Sequence, residues 1–124
     1  MDLRQIVVDA LQAVLCRQAD PADYFSPDYR QQVDGRLLDY AAFTRHLDTL
    51  RQHVATFSIR FDQLIVEADK VVSVHYTTIV KHDGTRAEYK VIAIFTVAAG
   101  RIVRCEELTY MLEGEPQERD LGSR

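Results

Sequence analysis

Three side chains in this sequence are of the types that move protons: Glu107, His75 and His46. A carboxylate enclosed by apolar groups loses the solvation of its charged form. Its pKa then climbs toward neutrality, where it can give or take a proton. Imidazole titrates in the same range and can exchange the second proton. Each residue also has an ordinary reading. Glu107 could be an ion-pair or hydrogen-bond partner at a pocket mouth, His46 a satisfied core histidine, and His75 a cross-strand polar residue on an outer sheet face. Tyr24, Tyr29, Tyr40 and Tyr110 could orient a ligand by hydroxyl or pack with a wet tip. Gln31 points inward beside Tyr29 if that segment is a strand, and Phe43, Phe95 and Cys105 would complete the lining.

The elements that must position these groups divide the chain near residue 54. Before it the apolar period is helical. Leu3, Ile6, Val7, Ala10, Leu11 and Val14 predict a helix over 3–17. Asp20-Pro21 opens a short second helix over 21–25, ended by Ser26-Pro27. Tyr29 to Val33 reads as a strand and Asp34-Gly35 as a turn. Asp39 caps a third helix over 40–53 with Phe43, His46, Leu47 and Leu50 on its inner face. After residue 54 the period becomes two. Phe57, Ile59 and Phe61 alternate with polar residues, and the strand continues to Glu67 through a bulge. Runs 71–80, 86–97 and 101–110 follow, separated by His82-Asp83-Gly84-Thr85 and Ala98-Ala99-Gly100. Helices followed by an antiparallel meander predict one curved sheet around a small interior.

Parity decides which residues face that interior. If Phe95 faces in, so do Val91 and Ala93. A three-residue Ala98-Ala99-Gly100 loop pairs Val97 with Arg101 and turns Val103, Cys105 and Glu107 inward. A two-residue loop would turn Glu106 inward instead, because one step of register flips a strand. A three-residue His82-Asp83-Gly84 loop puts Ser73, His75 and Thr77 inside, whereas a two-residue loop puts Val74 and Tyr76 there. The three-residue option is adopted at both turns.

The whole-chain numbers exclude several classes. The 124 residues, 47% hydrophobic and 27% charged, fit one soluble globular domain. A formal charge of −4 with no Lys/Arg stripe argues against nucleic acid as partner. No apolar run is long enough for a membrane span, and the N-terminus has no signal-peptide pattern, so the expected compartment is the cytoplasm. Cys16 and Cys105 then read as free thiols. His46, His53, His75 and His82 lack metal-ligand spacing, and no phosphate loop or nucleotide signature is present, so neither metal nor cofactor is expected.

The order of elements resembles the nuclear transport factor 2-like superfamily, and within it the SnoaL-like bacterial branch. Four segments carry the resemblance: Tyr24-Phe25-Ser26-Pro27-Asp28-Tyr29, Val33-Asp34-Gly35-Arg36 through Phe43, Phe95-Thr96-Val97-Ala98-Ala99-Gly100-Arg101-Ile102-Val103, and Glu106-Glu107-Leu108-Thr109. It implies an α+β cone over residues 1–112, a curved antiparallel sheet with three N-terminal helices, followed by a polar tail over 113–124. The fold hosts isomerases, dehydratases, cyclases, epoxide hydrolases and binding proteins. Steroid isomerases of this fold place a protonated Asp where this chain has Ala93 and a base where it has Val33 or Asp34. Epoxide hydrolases place a carboxylate that matches Glu107, with two further polar groups near His75 and Thr77.

Three functions follow as expectations: acid–base chemistry by Glu107 with His75 or His46 on a small, largely apolar molecule, of the isomerase, cyclase or dehydratase kind; small-ligand binding without chemistry; or protein interaction through the sheet. Ile92 and Ile94 point away from the face of Ala93, Phe95 and Val97. An outer face that is also apolar predicts a homodimer through the sheet.

Overall fold

The computed structural model describes residues 2–116. Asp2 starts helix α1 (Leu3–Leu11) by accepting the Arg4 and Gln5 backbone N–H groups. α1 runs into a π-helical turn, Gln12–Cys16. Arg51 ties that turn to the segment after it, donating through Nη2 to the Val14 carbonyl at 3.1 Å, which the helix end would otherwise leave open, and to the Ala19 carbonyl at 2.7 Å.

The short second helix expected over 21–25 is only a single 3-10 turn, Pro21–Asp23, so among the described residues there are two α-helices rather than the three helices expected. Asp20 caps the turn and Pro21 fits its start, but Phe25 already pairs with Ile102 in the sheet. Sheet pairing ends the turn. Strand β1 therefore spans Phe25–Val33, earlier than the expected start at Tyr29. A short strand β2 (Arg36–Asp39), not foreseen, returns along it. Asp39 then caps α2 (Tyr40–His53) through the Ala42 N–H, as predicted.

Four long strands complete the sheet: β3 (Val54–Glu67), β4 (Lys70–Lys81), β5 (Arg86–Ala98) and β6 (Arg101–Glu113). Their order is β2-β1-β6-β5-β4-β3, antiparallel throughout except that β1 runs parallel to β6. β3 bulges between Phe61 and Gln63. β6 carries the chain to Glu113, the first residue of the expected polar tail, and residues 117–124 of that tail lie outside the described residues.

α1, the π turn and α2 cover one face. There Phe25, Tyr29 and Phe43 form a ring triangle with centroids 4.8–4.9 Å apart, a spacing favourable for tilted and edge contacts. Val7, Leu11, Val14 and Leu47 join Val71, Val91, Phe95 and Ile102 in the same core. The opposite face stays open: Ile92, Ile94 and Leu108 are exposed. Among the described residues no helix is long and apolar enough to cross a membrane.

Candidate functional site

The position of Glu107 depends on two local features that offset each other. The β5–β6 turn is the two-residue Ala99-Gly100, with Ala98 opposite Arg101, not the three-residue loop expected. Both turn residues have positive φ, 52° and 78°, the twist that two-residue hairpins favour. Alone, this register would turn Glu107 outward. A bulge then intervenes, because Val97 pairs with Ile102 while Thr96 pairs with Arg104, leaving Val103 extra. Ile102 is buried rather than Val103, and from Cys105 onward the inward set is the predicted one. The β4–β5 turn does follow expectation: Lys81 donates to the Thr85 carbonyl across His82-Asp83-Gly84, and Ser73, His75 and Thr77 are buried.

Cross-strand pairing sets these groups in rows on the concave face. Val33, Glu107, Ala93 and Ser73 form one row and Thr109, Val91 and His75 the next. Glu107 and His75 therefore sit two strands and one row apart, about 12 Å at the backbone for a ~4.8 Å strand spacing and a rise of ~3.3 Å per residue. Both line one cavity of about 80 Å³, enclosed by Leu11, Val14, Phe43, Leu47, Phe57 and Phe95. Tyr29, Gln31, Cys105 and, from α2, His46 also reach its wall. Tyr24 and Tyr40 do not. Tyr24 ends the 3-10 turn, where its carbonyl accepts from Ile102, and Tyr40 opens α2 with its ring 6.4 Å from that of Phe43. Tyr110 lies on the exposed parity of β6.

Both carboxyl oxygens of Glu107 are held. Thr109 donates its hydroxyl to Oε2 at 3.1 Å, and the Cys105 thiol lies 3.8 Å from Oε1 as a weak donor. Burial pushes the carboxyl up from 4.5 to about 7, against the opposing pull of the Thr109 bond, with the Asp34 charge adding a further upward push. Asp34 belongs to the same corner, where its side chain accepts the Thr109 N–H and its own N–H donates to the Glu107 carbonyl. Cys105 is raised well above the usual thiol range, by burial first and then by the Glu107 charge. It is a protonated thiol, not a nucleophile. Tyr29, raised by burial and by Cys105 and Glu107, donates to Gln31 Oε1 at 2.7 Å.

His75 departs from its expected role. Burial lowers its pKa from 6.5 to about 4, so the ring is neutral at pH 7 and cannot supply a proton as imidazolium. Its Nδ1 is 2.7 Å from Ser73 Oγ, and its ring centroid is 5.5 Å from that of Phe61. Ser73, expected inside but with no role, and Thr109, not among the expected site residues, are the partners of His75 and Glu107. The signal was the i, i+2 spacing in Ser73-Val74-His75 and Glu107-Leu108-Thr109, which sets partners side by side on one strand face.

Comparison with known proteins agrees with this geometry. The profile of the SnoaL-like domain family matches residues 9–105. A protein of Schizosaccharomyces pombe, itself uncharacterised, is 39% identical over 100 residues, covering 81% of this chain and 77% of its own. Among solved structures, IdmH of Streptomyces antibioticus, proposed to be a polyketide cyclase, superposes with a TM-score of 0.75 at 12% identity, over 88% of this chain and 92% of that one. An LEH-like epoxide hydrolase of M. tuberculosis superposes with a TM-score of 0.75 at 17% identity, over 87% and 82%. At those identities the two structures establish the fold, while the profile and the yeast relative establish kinship: the chain belongs to the SnoaL-like domain family, on the nuclear transport factor 2-like fold.

Proposed function

We propose that this protein is a cofactor-independent acid–base catalyst for a small carbonyl- or hydroxyl-bearing molecule, of the isomerase, cyclase or dehydratase kind. One observation carries the reading: a carboxyl brought to about pH 7 by burial shares an apolar cavity with a neutral histidine anchored by Ser73. At neutral pH about half of the Glu107 side chains are ionised, so the same group can remove a proton and return it. The reaction requires Ser73 to be the donor in its contact with Nδ1; the His75 Nε2 then carries the hydrogen and can donate to a substrate oxygen, as a neutral imidazole does when it polarises a carbonyl. The substrate spans the two strands between them. Glu107 takes a proton from the carbon beside the carbonyl, the electron pair moves onto the oxygen held by His75, and reprotonation at another position completes an isomerisation.

The cavity limits substrate size. An apolar cavity of ~150 Å³ admits benzene, so about 80 Å³ fits a smaller molecule unless the walls yield. His46, on the same wall, is the further group for positioning. Ligand binding without chemistry is the alternative served by the same cavity, and it is separated by experiment. Deuterium exchange at the carbon beside the carbonyl of small ketones and hydroxyketones, followed by NMR, is expected to be catalysed by the wild type and lost in Glu107→Gln. Retention of a ligand in native mass spectrometry with no exchange in either protein would favour binding alone.

The exposed Ile92, Ile94 and Leu108, with half-buried Val72 and Val74 beside them in register, suit a second copy of the chain on the sheet's outer face. The same face would serve an interaction module. Cys16 and Cys105, both free, suit the reducing cytoplasm.

A further inference from the structure

A second cavity, of about 470 Å³, opens where the β1–β2 hairpin meets α2 and β6. Three arginines line it: Arg30 from β1, Arg45 from α2 and Arg104 from β6. Arg30 and Arg104 are register partners on adjacent parallel strands, so two like charges face the same side of the sheet directly opposite each other. Such a pair is destabilising unless something offsets it. The protein offsets it in part. Asp39 lines the cavity as the register partner of Arg30 on β2; its Oδ1 accepts the Ala42 N–H as the α2 cap, and its single negative charge balances one of the three arginines. Glu106 lies 3.5 Å from Arg104, in an exposed pair, which is worth little. The guanidinium groups of Arg30 and Arg45 make no hydrogen bond or ion pair among the described residues. This concentration of positive charge occurs in a chain of net charge −4.

We infer that this cleft is a second binding site, for a small molecule carrying a phosphate or carboxylate group. Guanidinium is the side chain suited to such groups, since its planar fork meets two oxygens at once. Leu37 and Leu38 add apolar wall for the rest of the ligand. Gln31 and Cys105 line both this cleft and the central cavity. They are register partners on β1 and β6 and form the partition between the two spaces. The occupant therefore sits across that partition from Glu107, and the inference does not depend on the acid–base reading.

Calorimetric titration of the full chain with inorganic phosphate and, separately, with succinate tests it at low ionic strength. Saturable one-site binding of at least one anion is expected, weakening as salt is added. The tighter of the two identifies the group recognised. Arg30→Gln, Arg45→Gln and Arg104→Gln should each weaken binding by about fivefold, the change in Kd for a contact worth ~1 kcal/mol at an exposed site. Glu107→Gln should bind as the wild type does. All three arginines are exposed, so the single variants are expected to fold, with circular dichroism as the check. Absence of saturable binding of both anions to the wild type would overturn the inference. So would binding undiminished in all three arginine variants, or binding abolished by Glu107→Gln, which would move the anion to the central cavity.

Discussion

Ser73 Oγ and His75 Nδ1 lie 2.7 Å apart on one face of β4, both buried. Since burial keeps the ring neutral near pH 7, this contact is made either by Ser73 donating to a bare Nδ1, which leaves the ring hydrogen on Nε2 as the proposed reaction requires, or by Nδ1–H donating to Ser73. Ser73→Ala is expected to leave Nδ1 without that partner and to mix the two tautomers, which the ¹⁵N shifts of the His75 ring would report. The unsatisfied nitrogen should cost about 1–3 kcal/mol in urea unfolding.

Glu107→Gln should separate stability from activity. The folded-state pKa of about 7 lies above the ordinary 4.5, so the folded protein binds the extra proton between those values and loses stability as pH rises through them. Above pH 7 the ionised carboxylate is a net cost. A neutral amide removes it, and the variant should be more stable than wild type at pH 8 by on the order of 1–3 kcal/mol, while proton exchange into a bound ketone disappears. Equal stability at pH 8 would mean that the carboxyl is well solvated.

His75 slopes the other way. Its folded pKa of about 4 lies below 6.5, so the unfolded chain binds more protons between them and stability rises with pH over that window. In wild type the two slopes oppose each other from about pH 4.5 to 6.5, and the denaturation midpoint should vary little there. In Glu107→Gln the His75 slope stands alone, so the midpoint should climb from pH 4 to 6.5 and then level off.

Ala99 holds φ at 52° in the Ala99-Gly100 turn, a region that costs an ordinary L-residue ~1–2 kcal/mol. Ala99→Gly relieves that strain and adds some freedom to the unfolded chain. A net gain of about 0.5–1 kcal/mol is expected, with the Glu107 titration unchanged because the bulge at Val103 lies beyond the turn. A drop in stability would argue against the two-residue turn.

Arg51 joins the end of α2 to the π turn through the Val14 carbonyl and to the segment after it through the Ala19 carbonyl. Arg51→Ala should destabilise by about 1–3 kcal/mol. It should also speed alkylation of Cys16, which lies in that turn and lines the neighbouring pocket with Arg51.

Much of this protein is legible along the chain because its signals are local. The change from a 3.6- to a 2-residue period near Val54 announces helices and then a meander. Asp39 and Asp20 are caps in sequence as in space, and His82-Asp83-Gly84 sets the register that buries His75. The sequence also determines which residues share a strand face, and so the pairing of Ser73 with His75 and of Glu107 with Thr109. Other features depend on partners far along the chain. Phe25 joins a strand instead of a helix because Ile102 is its neighbour. Tyr24 and Tyr40 miss the cavity because packing of the 3-10 turn and α2 directs them elsewhere. Glu107 faces inward only because an unannounced bulge at Val103 reverses the parity left by a shorter turn. The pKa values of Glu107 and His75 follow from desolvation, which exists only once helices and sheet enclose them. The arginine cleft draws its charges from three separate elements, and only folding brings those together.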